Sequence, residues 1–224
     1  MMIQRSSTAL NNTSNGNGNG NGNGNGNGNG NANHLIPFSG IQIKTTVTNR
    51  ASVVADWIRQ MYSRHSGTRI VVAIVCDRCE ILQLCVDKHC LIFLLHHMDE
   101  FPQALQNFFD DYDVMFVGVR MNVPYVFLVV HDLKQKFGLG CSRVIEVTKL
   151  TTSSYAYSIE DKLGIHPQLL ALAKHIEGFN IEKPIFVANS NWKAERLSVE
   201  QIRYASIDAY ATYRIARKLL STNN

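Results

Sequence analysis

The chain has 224 residues with a formal net charge of +4, and Lys and Arg total 22 against 18 Asp and Glu. Its apolar runs fall short of the roughly 20 residues of a membrane-spanning helix, and its N-terminus lacks the apolar block of a secretory signal, so no membrane partner is expected. The mild positive charge permits nucleic acid as a partner without the dense basic patch of a dedicated binder.

The first forty residues read as a tail. From Asn15 to Asn31 the chain alternates Asn and Gly, with no apolar side chain to bury against the entropy of ordering. Residues 1–40 are therefore assigned to a disordered linker, and residues 41–224 to one domain of about 180 residues, enough for a sizeable core. The tail contains Ser and Thr and no acid, but its single basic residue, Arg5, is too little for an organellar transit peptide.

Ile41 to Val47 alternates apolar and polar side chains, as a half-buried strand does. Ala51, Val54, Trp57, Ile58 and Met61 recur at helical spacing, with Thr48 and Asn49 as candidate caps and Gly67 closing the helix. Ile70–Cys76, Ile81–Val86 and Cys90–Leu94 are short apolar runs joined by tight connections, which predicts an antiparallel meander. A helix is predicted over Phe101–Phe109, with Pro102 in its first turn. Val114–Val119 reads as a strand buried on both faces. Asn122–Phe137 suits a helix, Val144–Val147 a short strand and Pro167–Glu177 a helix ended by Gly178, while Thr148–Ser158 has no clear pattern. The predicted fold class is α/β: a mixed sheet, antiparallel meander plus parallel strands, flanked by helices.

The last helix opens on a capping box, Ser198-Val-Glu-Gln201, with Leu197 and Ile202 placed as a hydrophobic staple. Ile202, Ala205, Ala209, Thr212, Ala216 and Leu220 form its inward face. Arg203, Arg214, Arg217 and Lys218 are read as a solvated face rather than as phosphate contacts. Tyr204 and Asp208 stand one turn apart on the border of the apolar face, where a half-desolvated carboxylate needs a cation or metal as partner.

Other clusters have plainer readings. Cys76, Cys79, Cys85 and Cys90 could be drawn as a zinc site, but their irregular spacing and strand-like surroundings favour buried thiols, and with Cys141 the odd count argues against a disulfide framework. His96-His97 beside Asp99-Glu100 reads as a solvated loop.

The stretch Asn191-Trp192 … Leu197-Ser198-x-x-Gln201-x-x-Tyr204-Ala205-x-x-Asp208-Ala209 resembles the third motif of the Werner-syndrome-type 3′–5′ exonucleases. The likeness continues upstream, in order, through Ile81-Leu-Gln-Leu-Cys85, Leu91-Ile-Phe93, Phe101-Pro-Gln103 and Phe116-Val-Gly-Val119. The resemblance implies a ribonuclease-H-like fold over about residues 41–220 and a metal-dependent chemistry. In that chemistry four carboxylates hold two Mg²⁺ or Mn²⁺ ions for in-line hydrolysis of a terminal phosphodiester. Carried over by motif position, Asp208 would be a metal ligand and Tyr204 would orient the attacking water.

Three positions depart from that pattern. Val75 stands where the first motif has its aspartate, and Asp77 stands where it has glutamate. The following loop is cut to a turn at Arg78–Glu80, and Pro124 takes the place of the second-motif aspartate. Asp77 and Asp208 can neutralise one divalent ion but not two, and the shorter Asp77 reaches less far than glutamate. The expected function is thus an exonuclease-fold, nucleic-acid-associated protein, a pseudoenzyme with catalysis lost or strongly impaired, acting through binding or as a subunit beside a protein partner. Such a copy would need no cofactor. The alternative is a weak exonuclease that holds one Mg²⁺ or Mn²⁺ ion through Asp77 and Asp208. An intracellular location, nucleus or cytoplasm, is expected.

Overall fold

The computed structural model describes residues 31–77, 80–119, 125–141, 143–150 and 167–222. The Asn-Gly tract up to Gly30, the turn at Arg78 and Cys79, Pro124, and the unpatterned stretch from Thr151 onward lie outside the described residues.

The strands are β1 (Ala32–Phe38), β2 (Ile41–Thr48), β3 (Ile70–Asp77), β4 (Ile81–Val86), β5 (His89–Phe93), β6 (Val114–Gly118) and β7 (Val144–Glu146). They form one mixed sheet in the order β1-β2-β5-β4-β3-β6-β7. The predicted meander is present: β3 pairs antiparallel with β4, and β4 antiparallel with β5. β2 runs parallel to β5, and β3, β6 and β7 run parallel to one another. The helices are α1 (Ala51–Arg64), α2 (Gln103–Asp110), α3 (Tyr125–Phe137), α4 (Pro167–Glu177), the single turn α5 (Ile185–Ala188) and α6 (Val199–Thr222).

Two expectations need correction here. The stretch assigned to a tail holds β1, which pairs with β2 along its whole length, from Ala32 opposite Val47 to Phe38 opposite Ile41. Ser39 and Gly40 make the turn with φ of 45° and 77°, the left-handed pair that suits a two-residue hairpin. Ile36 and Phe38 are buried, so the apolar run Leu35-Ile-Pro-Phe38 is the strand signal that the neighbouring Asn-Gly tract obscures. Pro37 lies on this outer strand, where a missing N–H is tolerated.

The second correction concerns the start of α1. Arg50 is its N-cap residue and makes no side-chain cap. Thr48 Oγ1 instead accepts from the Arg50 N–H at 3.0 Å, and Asp99 Oδ1 accepts from the Ala51 N–H at 2.8 Å. Asp99 thus has a structural task, borrowed from a loop 48 residues further along the chain.

Side-chain alternation along the strands sorts the core into two layers. Val72, Ile74, Leu82, Leu84, Leu91, Phe93, Val114 and Phe116 point to the face covered by α1, α2 and α3. Val71, Ala73, Ile81, Cys85, Cys90, Ile92, Met115 and Val117 point to the face covered by α4 and α6. Cys76 belongs to the first layer while Cys85 and Cys90 belong to the second. The sheet therefore stands between these thiols, and they cannot gather round one zinc ion. Burying apolar area in both layers contributes roughly 25 cal/mol per Å² and makes the sheet the rigid frame for the long last helix.

The candidate site on the last helix

The capping box forms as expected: Gln201 N–H donates to Ser198 Oγ at 3.2 Å, and Ser198 N–H donates to Gln201 Oε1 at 2.9 Å. Gln201 is buried, and its amide nitrogen also donates to Ser190 Oγ (2.9 Å) and the Asn191 carbonyl (3.1 Å). One side chain therefore caps α6 and fixes the loop before it. His97 joins this arrangement through its Nε2, 2.8 Å from the Lys193 carbonyl, so the histidine loop is tied down rather than solvated throughout.

From Ala205 to Tyr213 every residue of α6 is buried. The helix lies across β3 and β4 with α4 alongside, which leaves little of its middle facing water. Asp208 is consequently not at a half-exposed border; it is 3% exposed. Its partner is Lys183, whose Nζ lies 2.5 Å from Asp208 Oδ2, with only 7% and 5% of the two side chains exposed. Burial pushes the Asp208 carboxyl above the usual carboxylate range, and the Lys183 ammonium pulls it back only in part. Asp208 Oδ1 is buried without a hydrogen-bond partner among the described residues.

Tyr204, one turn before Asp208, is half-buried. Its ring lies 4.9 Å from the Lys183 ammonium and 5.8 Å from the ring of Trp192, whose Nε1–H donates to the Ala188 carbonyl at 3.1 Å. Lys183, Tyr204, Asp208 and Trp192 thus form one contiguous cluster. A cation was expected beside Asp208, but no periodicity or motif identified Lys183. It sits in the irregular Glu182-Lys-Pro184 segment, 25 residues away, and only tertiary folding brings it in.

Val75 lies on the same side of the sheet as α6 and packs partly buried against that layer, opposite Gln83 of β4. An apolar side chain there supplies no oxygen to a cation. Asp77 is the last residue of β3 and pairs with Ile81 across the turn. Among the described residues no group of three or more His, Cys, Asp or Glu side chains converges as a metal site. Mg²⁺ and Mn²⁺ require several oxygen ligands in near-octahedral order. Of the carboxylates that the motif names, Asp208 is already in contact with an ammonium, and Val75 leaves one ligand position apolar.

The cations of α6 are largely engaged. Arg203 Nη1 donates to the Pro37 carbonyl at 2.9 Å, and Arg214 pairs with Glu177 at 2.7 Å and donates to the Tyr210 hydroxyl. Lys218 bonds the Ile176 carbonyl, while Arg217 is exposed. A cavity of about 650 Å³ opens beside Tyr204, between the Ser39–Gly40 turn, the Asn180–Val187 segment and the start of α6. Glu182, Glu200 and Arg203 line it together with Phe38 and Phe186, so its walls carry both signs of charge.

A family model described as 3′–5′ exonuclease matches residues 68–222. A relative from Acanthamoeba polyphaga mimivirus is 27% identical over 192 residues, covering 80% of this chain and 46% of that protein. The Drosophila melanogaster exonuclease 3′–5′ domain-containing protein 2 is 26% identical over 196 residues, 83% of this chain and 31% of the relative. The mouse bifunctional 3′–5′ exonuclease/ATP-dependent helicase WRN is 27% identical over 144 residues, 64% of this chain and 10% of the relative. The chain spans less than half the length of these relatives. Among solved structures, Escherichia coli RNase D superposes with a TM-score of 0.57 at 14% identity, over 76% of this chain and 42% of that one. Brucella melitensis NrnC superposes with a TM-score of 0.53 at 17% identity, over 70% of this chain and 74% of that one. At such identities the structures speak to the fold alone, and that fold is the ribonuclease-H-like α/β sheet.

Proposed function

The chain belongs to the 3′–5′ exonuclease family, and we propose that in this member the fold is kept while two-ion hydrolysis is lost or strongly impaired. The observation that carries this reading is the contact of Lys183 with Asp208 at 2.5 Å in a dry setting. The carboxylate that the motif assigns to a divalent ion is neutralised from within the chain. A second cation at that oxygen would have to displace the ammonium or share its site, and like charges at a few ångströms in a low-dielectric interior repel strongly. Val75 and Pro124, at the positions of two further carboxylates, add no ligand of their own.

The chemistry left to these residues is positional. Asp208 and Lys183 form a neutral pair that fixes the 180s segment to α6, and Lys183 holds the Tyr204 ring against Trp192. Were a metal bound, it would supply an activated water and charge neutralisation, with Asp77 and Asp208 as its ligands. The role that remains is association with nucleic acid, or with a protein partner as a subunit, inside the cell.

The test is incubation of the purified protein with end-labelled DNA and RNA in Mn²⁺. No ladder of shortened products is expected. A ladder abolished by Asp208→Asn would overturn the proposal in favour of a weak one-ion exonuclease. A gel shift across a salt series tests the binding role, since affinity from phosphate contacts must fall as salt rises. Absence of any salt-sensitive shift would leave the protein-partner role.

A further inference from the structure

Cys85 and Cys90 face each other across the β4–β5 hairpin, in direct register and one pair in from the turn: Val86 and His89 flank the two-residue turn Asp87-Lys88. In a two-residue hairpin the pair next to the turn is the hydrogen-bonded one, so the next pair, Cys85 with Cys90, is non-hydrogen-bonded. That is the closer of the two kinds, with Cα atoms about 4.5 Å apart. A disulfide needs Cα atoms about 4.4–6.8 Å apart and a sulfur separation of about 2.05 Å. The two sulfurs are already 2.9 Å apart, closer than non-bonded sulfur atoms rest, and both residues are fully buried.

We propose that Cys85 and Cys90 are a modification site: a dithiol that a low-molecular-weight disulfide, of which oxidised glutathione is the probe, converts to an intrachain disulfide. The thiolate of one cysteine attacks a glutathione sulfur, forming a mixed disulfide and releasing one glutathione thiolate. The second cysteine then attacks the protein-side sulfur of that mixed disulfide and releases the other glutathione. The two protons lost by the cysteines end on the two glutathione thiols, and the glutathione disulfide takes both electrons.

Position gives the site its particular behaviour. The Cys90 sulfur lies 3.8 Å from the Ser206 carbonyl, on α6 between Tyr204 and Asp208, and Ser206 Oγ is 2.8 Å from Thr45 Oγ1 of β2. The hairpin turn is tied to the same helix by the Tyr213 hydroxyl, which donates to Asp87 Oδ1 at 2.6 Å. Exchange therefore requires the hairpin to come away from α6, and once formed the bond is enclosed beneath that helix. Burial also pushes the Cys85 thiol well up, which keeps the closed form slow to react.

The protein is equilibrated in mixtures of oxidised and reduced glutathione, both folded and during refolding from urea. It is then quenched with acid, alkylated with a maleimide in denaturant and digested with trypsin for mass mapping. A linked pair of peptides, lighter by two hydrogen atoms, is expected to join the segment ending at Lys88 to the one beginning at His89. Its fragment ions should place maleimide on Cys79. Cys76 and Cys141 should stay alkylated at the same ratio. Refolding should give the bond faster than incubation of the folded protein does. Cys90→Ala should abolish the linked pair, and the wild-type fragment map stands by itself if that variant is unstable. Full alkylation of Cys85 and Cys90 at every ratio in both arms, or a bond through Cys79 instead, would overturn the proposal.

Discussion

Substituting methionine for Lys183 removes the ammonium but keeps a side chain of similar reach, and strands the Asp208 carboxylate in the interior. At 2.5 Å and an effective dielectric of about 20, the lost attraction is about 7 kcal/mol. Most of that only offsets the desolvation both groups already suffer. Removing one partner of a buried pair costs about 3–5 kcal/mol in folding stability, whereas replacing both partners can be nearly neutral. Lys183→Met should therefore lower the thermal midpoint by roughly 10 °C, taking about 2–4 °C per kcal/mol for a chain of this size. The double variant Lys183→Met with Asp208→Asn should regain most of the loss. The pH dependence has a definite sign. A carboxyl whose folded pKa is raised binds its proton more tightly in the native state, so stability falls as pH rises from the unfolded value, 3.8, through the raised native value. The slope should steepen and extend to higher pH in Lys183→Met, and vanish in Asp208→Asn. Urea titrations at several pH values measure all of this. A Lys183→Met variant within about 1 kcal/mol of wild type, or a double variant as unstable as the single one, would refute a buried pair at this position.

Further expectations concern the frame around the site. Phe116→Ala empties a fully buried position in contact with the rings of Phe108 and Phe109, and should cost about 3–5 kcal/mol by urea unfolding. Asp99→Ala removes the acceptor for the first N–H of α1 and should cost about 0.5–2 kcal/mol, with Asp99→Asn retaining much of it. The Cys141 thiol, pushed up to about 12 chiefly by burial, should react with iodoacetamide at pH 8 roughly a thousandfold more slowly than a free thiol, and recover in urea.

How much could be read from the chain depended on how local the governing physics is. The meander β3–β5 and the helix Pro167–Glu177 were legible because alternation and helical spacing report burial directly, and the structure places them within a residue or two of expectation. The capping box was legible because both its hydrogen bonds close within four residues. β1 was missed because seven residues of pairing depend on a partner strand, while composition was judged over the adjacent Asn-Gly tract. The Asp99 cap and the Lys183 ion pair were missed for a related reason: each joins residues far apart in sequence, and only the assembled sheet decides who meets whom. Asp208 itself was identified by motif. Its surroundings were misjudged because helical periodicity assumes one wet face, and the middle of α6 has almost none.

The two outer strands of the sheet bear on how copies of the protein could meet. At one side β1 carries Pro37, which offers no N–H, and the proline carbonyl is taken by Arg203. At the other side β7 is three residues long. Neither offers the long row of free backbone groups that lets a neighbouring chain add itself strand by strand. Of the described surfaces, those left for assembly are helical or loop faces, so self-association would be sensitive to side-chain substitution there and indifferent to the backbone ladder.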